Sequence, residues 1–161
     1  MLGYVMKTDS AQANRQAMRL YIVLTRTYKT LLDKDQRNIR SYGLNASEFG
    51  VLELLYNKGP HPIQQIGDKI LITSGTMTYV IDKLEKKELI IRRPCDNDRR
   101  IVYAELTDAG RERMSEILPG HYNAIRDSLR GLTSEEQELA ITLLKKISFH
   151  GQESRIKNRR L

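Results

Sequence analysis

The stretch DRRIVYAELTDAG, residues 98–110, joins one acid and two arginines to an alternating apolar run and then to a helix start. Asp98 and Arg100 are two residues apart, so the carboxylate can pair with the guanidinium and hold it extended. At the tip of a narrow hairpin, an extended guanidinium can enter the minor groove of DNA, where the potential is most negative. The alternative is a solvated ion pair of little energetic value. The surrounding elements therefore decide whether this pair serves DNA binding.

Cys95 is the only cysteine of the chain and lies three residues before Asp98. A single cysteine excludes an internal disulfide. Neighbouring arginines favour the reactive thiolate, whereas the nearby aspartates oppose it. Cys95 is therefore a candidate redox residue, and an incidental surface cysteine is the alternative.

The other residue types that carry chemistry do not form a recognisable catalytic or metal site. His61, His121 and His150 are scattered and lack the HxxxH or CxxC spacing of metal ligands. The sequence contains no GxSxG, no glycine-rich phosphate loop and no HExxH. We therefore expect neither an enzyme nor a bound metal or cofactor.

Composition narrows the class of protein further. The chain has 161 residues, of which 40% are hydrophobic and 29% charged, as in ordinary globular proteins. No apolar run approaches the roughly 18 residues of a membrane span, and no secretory signal is apparent, so a cytoplasmic protein without a membrane partner is expected. The formal net charge of +7 hints at nucleic acid, but the basic residues are spread along the chain. Local arrangement must therefore carry any argument for DNA binding.

The hydrophobic pattern predicts a chain of helices interrupted by one hairpin. Apolar residues recur at helical spacing in the long segments, and the turn-rich sequence PCDNDR separates two strand-like runs. Capping boxes are predicted at Asn45–Glu48 and Thr133–Glu136. The predicted elements are a helix over 11–41, a helix from Asn45 to Gly59, helices over 63–70 and 74–87, strands over 89–93 and 101–106, a helix from Thr107 toward Leu129, and a last helix from Thr133.

Two short helices joined by a tight turn and followed by a hairpin predict a winged helix-turn-helix. The fold class is thus mainly α with a small β-hairpin wing. The predicted organisation is an N-terminal dimerisation region at 1–43, the winged domain at 44–107, and C-terminal dimerisation helices with a basic tail at 108–161. The long flanking helices are amphipathic, and they most simply bury their apolar faces against a second copy.

The helix over 74–87 is the predicted recognition helix. Its apolar face must point inward, so its small polar first turn and its opposite face remain available to DNA. The alternative is that these residues form a solvated face, because serine and threonine favour helix starts in any case. The predicted DNA-binding residues, including those of the hairpin tip, are Ser74, Gly75, Thr76, Thr78, Tyr79, Lys83, Asp98, Arg99 and Arg100.

The run SGTMTYVIDKLEKKELIIRRPCDNDRRIVYAELTDAG resembles the DNA-binding core of the MarR family of bacterial regulators. That family has a recognition helix before a wing with Asp-x-Arg, and then Leu-Thr with a glycine three residues after the threonine. The resemblance covers roughly residues 45–115 in motif and the whole chain in helix order. The matching residues here are Asp98, Arg100, Leu106, Thr107 and Gly110. Glu88 departs from the pattern, since a glycine commonly ends the recognition helix.

The resemblance implies an obligate homodimer with interlocked terminal helices. It also implies two recognition helices in successive major grooves of an inverted-repeat operator in double-stranded DNA, with Arg100 in the minor groove and oriented by Asp98. Most members repress transcription and release DNA when a small phenolic or other aromatic ligand binds, or when a cysteine is oxidised. Aromatic residues on segments that could line a ligand cleft are Tyr21, Tyr28, Tyr42, Phe49 and Tyr56, with membership of the core as the alternative.

The sequence therefore predicts a dimeric DNA-binding transcriptional regulator, expected to be a repressor that a phenolic or quinone-like effector releases. With 8 tyrosines and 2 phenylalanines, buried hydroxyls would need partners that such a ligand could supply. The alternatives are redox sensing through Cys95, DNA binding without an effector, and a winged helix used for protein contacts.

Overall fold

The computed structural model describes the backbone of residues 2–70, 77–98 and 100–158, and the side chains of these residues except 2–9, 68 and 149–158. The described chain is mainly helical with a small antiparallel sheet, which confirms the predicted fold class. Its elements are α1 (Leu2–Ser41), α2 (Ala46–Lys58), β1 (His61–Pro62), α3 (Ile63–Lys69), α4 (Met77–Lys86), β2 (Ile90–Pro94), β3 (Val102–Leu106), α5 (Asp108–Leu129) and α6 (Ser134–Asn158).

The sheet has three strands in the order β1-β3-β2, one more than the sequence predicts. β2 and β3 form the expected hairpin, with Ile90 opposite Leu106. The additional strand β1 places His61 opposite Ala104 on the other side of β3. A two-residue strand that contains a proline shows no alternation, and proline is tolerated at a sheet edge. The sequence pattern could therefore not reveal β1.

The hydrophobic core lies between α2, α4 and the sheet, in the part of the chain formed by residues 44–107, which we call the winged lobe. The apolar positions of α2 and α4 recur at helical spacing, so each helix buries one stripe. Side chains from α1, α3, β2, β3 and α5 complete this core. Its fully buried members include Leu52, Leu55, Ile66, Ile81, Leu84, Ile90, Ala104 and Met114.

The first turn of α2 is fixed by the predicted capping box. The Asn45 side chain accepts a hydrogen bond from the backbone N–H of Glu48 at 2.9 Å, and Glu48 Oε2 accepts one from the backbone N–H of Asn45 at 2.8 Å. The second predicted box is confirmed at α6, where Glu136 accepts from the backbone N–H of Thr133 at 2.8 Å. Each box satisfies N–H groups that a helix start leaves free.

The end of α4 adopts a Schellman arrangement. The N–H of Leu89 donates to the carbonyl of Leu84 at 3.1 Å, and the N–H of Glu88 donates to that of Glu85 at 2.9 Å. This geometry places Glu88 in the left-handed region with φ of 59°. Glu88 is thus the position at which the sequence departs from the family pattern of glycine.

A tight junction connects the end of α4 to the start of α5. Thr107 donates from its N–H to the carbonyl of Leu89 at 3.1 Å and from its hydroxyl to that of Glu88 at 2.7 Å. The same hydroxyl accepts from the N–H of Gly110 at 2.9 Å and so caps α5. A Cβ on Gly110 would lie 2.0 Å from the carbonyl oxygen of Leu89. Only glycine therefore allows this approach.

The chain divides into two compact units, residues 1–124 and 125–161. In the first unit, α1 exposes large apolar side chains, including Met18, Tyr21, Val23 and Tyr28. In the second unit, α6 exposes Leu139, Ile141, Leu143, Leu144 and Ile147. None of the helices in the described residues combines the length and apolarity that a bilayer crossing requires.

The left-handed backbone at Glu88 yields a stability prediction. Glu88→Gly removes the Cβ strain, and we expect it to raise the free energy of unfolding by about 1 kcal/mol. Lys86→Gly is the control, because a glycine at this last residue of α4, where the backbone is helical, should instead lower that energy, by at most about 1 kcal/mol. Urea unfolding of both variants measures the difference. Equal destabilisation by the two glycines would contradict the left-handed cap.

Candidate nucleic-acid interface and adjoining cavity

The outer face of α4 is polar and exposed. Val80, Ile81 and Leu84 point into the core, whereas Thr78 and Tyr79 lie on the opposite side. The Tyr79 side chain is 64% exposed, although a tyrosine gains free energy when its ring is covered. This face therefore offers a hydroxyl and an aromatic ring to a partner. The predicted residues Ser74, Gly75 and Thr76 lie outside the described residues, as does Arg99.

In the part of the hairpin tip that the structure describes, Asp98 holds the guanidinium of Arg100 in place. Asp98 accepts hydrogen bonds from the backbone N–H of Arg100 at 3.0 Å and from its Nε and one terminal nitrogen at 3.1 Å each. The hydrogen bonds from Arg100 lower the pKa of the Asp98 carboxyl. The Arg100 side chain is nevertheless 91% exposed. The predicted Asp98–Arg100 pair thus exists and points its cation into solvent.

A second arginine ties the hairpin to the recognition helix. Arg92 of β2 donates to the carboxylates of Asp82 and Glu85 on α4. The hydrogen bond to Asp82 is the largest of the effects that raise the pKa of Arg92. Arg93 pairs with Glu105 across the two strands at 3.0 Å. The wing and α4 are therefore connected by charged contacts as well as by the core.

Lys83, predicted to face DNA, pairs with a carboxylate of α2. Its Nζ lies 3.3 Å from Glu48 Oε1, and the Nζ of Lys87 lies 2.8 Å from the same oxygen. Glu48 is only 1% exposed. Burial alone would raise the pKa of the Glu48 carboxyl, but the hydrogen bonds from Lys87, from the Asn45 N–H and from Lys83 outweigh burial and lower it.

A cavity of about 470 Å³ adjoins the winged lobe and lies within the first unit. Helices α1, α2, α3 and α5 form its walls, which combine apolar side chains with a few charged ones. Its lining includes Asp35, Ile39, Phe49, Glu53, Lys69 and His121. A volume of this size suits a small organic molecule.

His121 is the buried polar group of this cavity, with 7% of its surface exposed. Its Nδ1 lies 3.1 Å from Asn38 Oδ1, while the Asn38 amide donates to the Tyr42 hydroxyl at 3.2 Å. Because the Asn38 oxygen can only accept, this hydrogen bond requires the tautomer with a proton on Nδ1, in which Nε2 is left to other partners. The His121 ring packs against Phe49 with centroids 4.5 Å apart. Oδ1 of Asp35, 3.7 Å from Nδ1, is buried without a hydrogen-bond partner.

Only one of the five predicted effector residues lines this cavity, namely Phe49. Tyr42 adjoins it through Asn38, and Tyr56 packs against the core of the winged lobe. Tyr21 and Tyr28 lie on α1 with 65% and 66% of their surfaces exposed.

His121 was not predicted to line the effector cleft. A signal was available, because His121 continues the buried stripe of Met114, Ile117 and Leu118 at helical spacing. A polar residue on such a stripe must find partners in the interior. Its acidic neighbour, Asp35, lies on α1, and no local sequence pattern could indicate a contact with this distant helix.

Cys95 is half-buried at the end of β2, and its backbone N–H donates to the carbonyl of Ile101 at 2.9 Å. The thiol therefore lies in the hairpin, as predicted. Across the described residues, no three His, Cys, Asp or Glu side chains are grouped in a way that could hold a metal ion.

Comparison with known proteins places this geometry in a family. Residues 44–102 match the model of the MarR family. The transcriptional regulator MhqR of Bacillus subtilis is 44% identical over 86% of this chain and 95% of its own length. The chain belongs to the MarR family. It is thus a DNA-binding transcriptional regulator rather than an enzyme.

Solved structures share the same architecture. Sco3205 of Streptomyces coelicolor, a MarR family regulator crystallised with DNA, gives a TM-score of 0.73 at 24% identity and covers 81% of this chain and 88% of its own. BpsR of Bordetella bronchiseptica, whose DNA binding is regulated by 6-hydroxynicotinic acid, gives 0.69 at 28% identity and covers 78% and 90%. The winged lobe and its flanking helices therefore occur together in this family.

The lowered pKa of Glu48 predicts a pH-dependent stability difference. A carboxyl with a depressed folded-state pKa stabilises the fold at neutral pH and loses this effect as pH falls through that pKa. At pH 7 we expect Glu48→Gln to cost about 2 kcal/mol of unfolding free energy. The cost should begin to shrink as the pH falls below the ordinary pKa of a glutamate, about 4.3, and should disappear only below the lowered pKa of the folded Glu48 carboxyl, where the native side chain is also neutral. Urea unfolding across this range measures it, and a constant difference would contradict the ion pairing.

Proposed function

We propose that the chain is a repressor that binds an inverted-repeat operator in double-stranded DNA as a homodimer. The observation that carries this proposal is the hairpin tip, where Asp98 holds the almost fully exposed guanidinium of Arg100. An isolated surface ion pair adds little to the stability of a fold. Stability alone therefore does not explain why Asp98 holds the Arg100 guanidinium at the tip. A cation held at a narrow tip suits the negative minor groove.

The exposed face of α4 supports the same reading. Thr78 can reach phosphates or base edges, and Tyr79 can contact the sugars or the thymine methyl groups of the major groove. The contacts of Arg92 with α4 fix the spacing between this helix and the wing. We therefore propose residues 44–107 as the DNA-binding region. Sco3205, solved with DNA, offers a precedent for this fold on a duplex.

The apolar surfaces of the long helices support a homodimer. On α1, Met18 is 59% and Val23 53% exposed, and on α6 Leu139 is 59% exposed. Each side chain of this size gains about 1.5–3 kcal/mol when it is fully buried. We propose that the regions 1–43 and 108–161 cover these surfaces against a second copy, which would place two winged lobes on one inverted repeat.

The cavity supports regulation by a small aromatic effector. Phe49 and Ile39 provide apolar walls for a ring. In the tautomer with the proton on Nδ1, Nε2 of His121 is an acceptor, so a phenolic hydroxyl could donate to it. We propose that such a ligand occupies this cavity and lowers the affinity for DNA. BpsR, whose DNA binding is regulated by 6-hydroxynicotinic acid, is a related protein with a hydroxylated aromatic effector.

Variants of the hairpin tip test the proposed minor-groove contact. Arg100→Ala should weaken binding to the preferred duplex by roughly 5- to 150-fold, because a buried guanidinium contact contributes about 1–3 kcal/mol. Arg100→Lys should recover only part of this, since lysine lacks the planar fork. Asp98→Asn should give an intermediate loss. Fluorescence anisotropy at fixed salt measures the affinities.

Arg37→Ala is the matched control for charge, because Arg37 is exposed on α1 and, among the described residues, bonds to the Asp33 carbonyl of the same helix. This variant should bind the duplex as the native chain does. Unchanged affinity in Arg100→Ala would contradict the proposed role and favour a winged helix that serves protein contacts.

A ligand series tests the proposed cavity. We expect phenol, hydroquinone or 4-hydroxybenzoate to bind the native chain and to weaken its hold on DNA, whereas the corresponding methyl ethers should not, because they cannot donate a hydrogen bond. His121→Phe should reduce affinity for the phenol about tenfold. Calorimetry measures binding, and Cys95→Ser should respond as the native chain does. Equal binding of phenol and ether, or a response lost in Cys95→Ser, would contradict this mechanism.

A further inference from the structure

Glu48, with 1% of its surface exposed, is the most deeply buried acidic residue among those that the structure describes. It lies on α2 beside Phe49, but it turns away from the cavity and toward α4. Removing an ionised carboxylate from water is costly, so a protein retains one only where several donors compensate. The partners of its two oxygens indicate which function requires this buried charge.

The two oxygens of Glu48 have separate partners. Oε2 accepts from the backbone N–H of Asn45 and completes the capping box of α2. Oε1 faces the ammonium groups of Lys87 and Lys83 at 2.8 and 3.3 Å. Lys87 also reaches the carbonyl of Gly43 at 3.5 Å. The carboxylate thus joins the loop before α2 to the second half of α4.

The capping function alone does not require a charge. A glutamine at this position of a capping box satisfies the same backbone N–H. The negative charge is required only by two lysines, Lys83 on α4 and Lys87 directly after its end, which are one helical turn apart and converge on one oxygen. The capping box therefore does not explain why Oε1 of Glu48 faces both lysines.

Free lysines on a recognition helix would favour binding without sequence preference. An ammonium is a flexible point charge that attracts any phosphate, and phosphate contacts carry no direct sequence information. Lys83 and Lys87 are 41% and 34% exposed at their side chains, so release from Glu48 would leave both able to swing toward DNA. Their pairing holds these two charges against α2 instead.

We propose that Glu48 is a positioning residue for specific DNA recognition. It fixes the second half of α4 against α2 through Lys83 and Lys87, and it keeps both lysines from sequence-independent phosphate contacts. The face of α4 with Thr78 and Tyr79 then meets the groove in one orientation. Lys83 accordingly positions the helix rather than contacting a phosphate. This inference rests on the proposed function.

The test is the specificity ratio of Glu48→Gln, which is the affinity for the preferred duplex divided by that for a scrambled duplex at the same salt concentration. We expect the ratio to fall about tenfold, while affinity for scrambled DNA stays equal or rises. Glu112→Gln is the matched control, because it makes the same charge change at an exposed position of α5 and should keep the native ratio.

A structural role alone predicts a different outcome. If Glu48→Gln only reduced the folded fraction, both affinities would fall by the same factor and the ratio would stay native, which would overturn the proposal. Lys87→Met gives an independent check, since Lys83 still balances Glu48 in that variant and the fold is retained. It should lower the ratio about threefold, or half of the tenfold effect on a logarithmic scale. A native ratio in Lys87→Met would also overturn the proposal.

Failure of the positioning role of Glu48 and failure of the proposed function give different results. If the native chain prefers one duplex strongly and Glu48→Gln prefers it equally, only the role of Glu48 fails. If the native chain prefers no duplex, the proposed function fails and the positioning role fails with it.

Discussion

The carbonyl of Leu89 is the point on which the winged lobe depends. It lies where α4 has ended and the hairpin begins, and it accepts from the N–H of Thr107 at the other end of that hairpin. The threonine hydroxyl then caps α5 through Gly110, whose missing Cβ leaves room for the same carbonyl. Recognition helix, wing and α5 therefore share one junction, and none can shift without breaking a hydrogen bond of another.

This junction fixes the exposed side chains of α4 and of the wing in position relative to each other. Arg92 adds contacts from the wing to α4, and Glu48 adds contacts from α2 to the same helix. The groups proposed to meet DNA, chiefly Tyr79 and Arg100, are thus exposed side chains on a fixed scaffold. Preorganised contacts cost less ordering entropy on binding than flexible ones. The same lobe adjoins the cavity, because α2 contributes both Phe49 and Glu48.

Local chemistry made much of this predictable. The capping box at Asn45, the turn before Arg100 and the threonine before α5 are read from a few adjacent residues, and each occurs as expected. The pairing of Glu48 with Lys87 was not predictable, because 39 residues separate them. The cavity and its contact between His121 and Asn38 likewise join distant segments, 83 residues apart. Periodicity identifies which face is buried but not which side chains meet there.

We propose above all that a two-fold dimer of this chain reads DNA sequence. Selection of bound duplexes from a random pool, with affinity measured at fixed salt, tests it most directly. We expect enrichment of an inverted repeat whose half-sites are about 10 base pairs apart, or a multiple of this. The chain should bind this repeat roughly 10³-fold more tightly than random DNA. Weak, salt-sensitive binding without any enriched sequence would contradict it, since charge alone would then explain the contact.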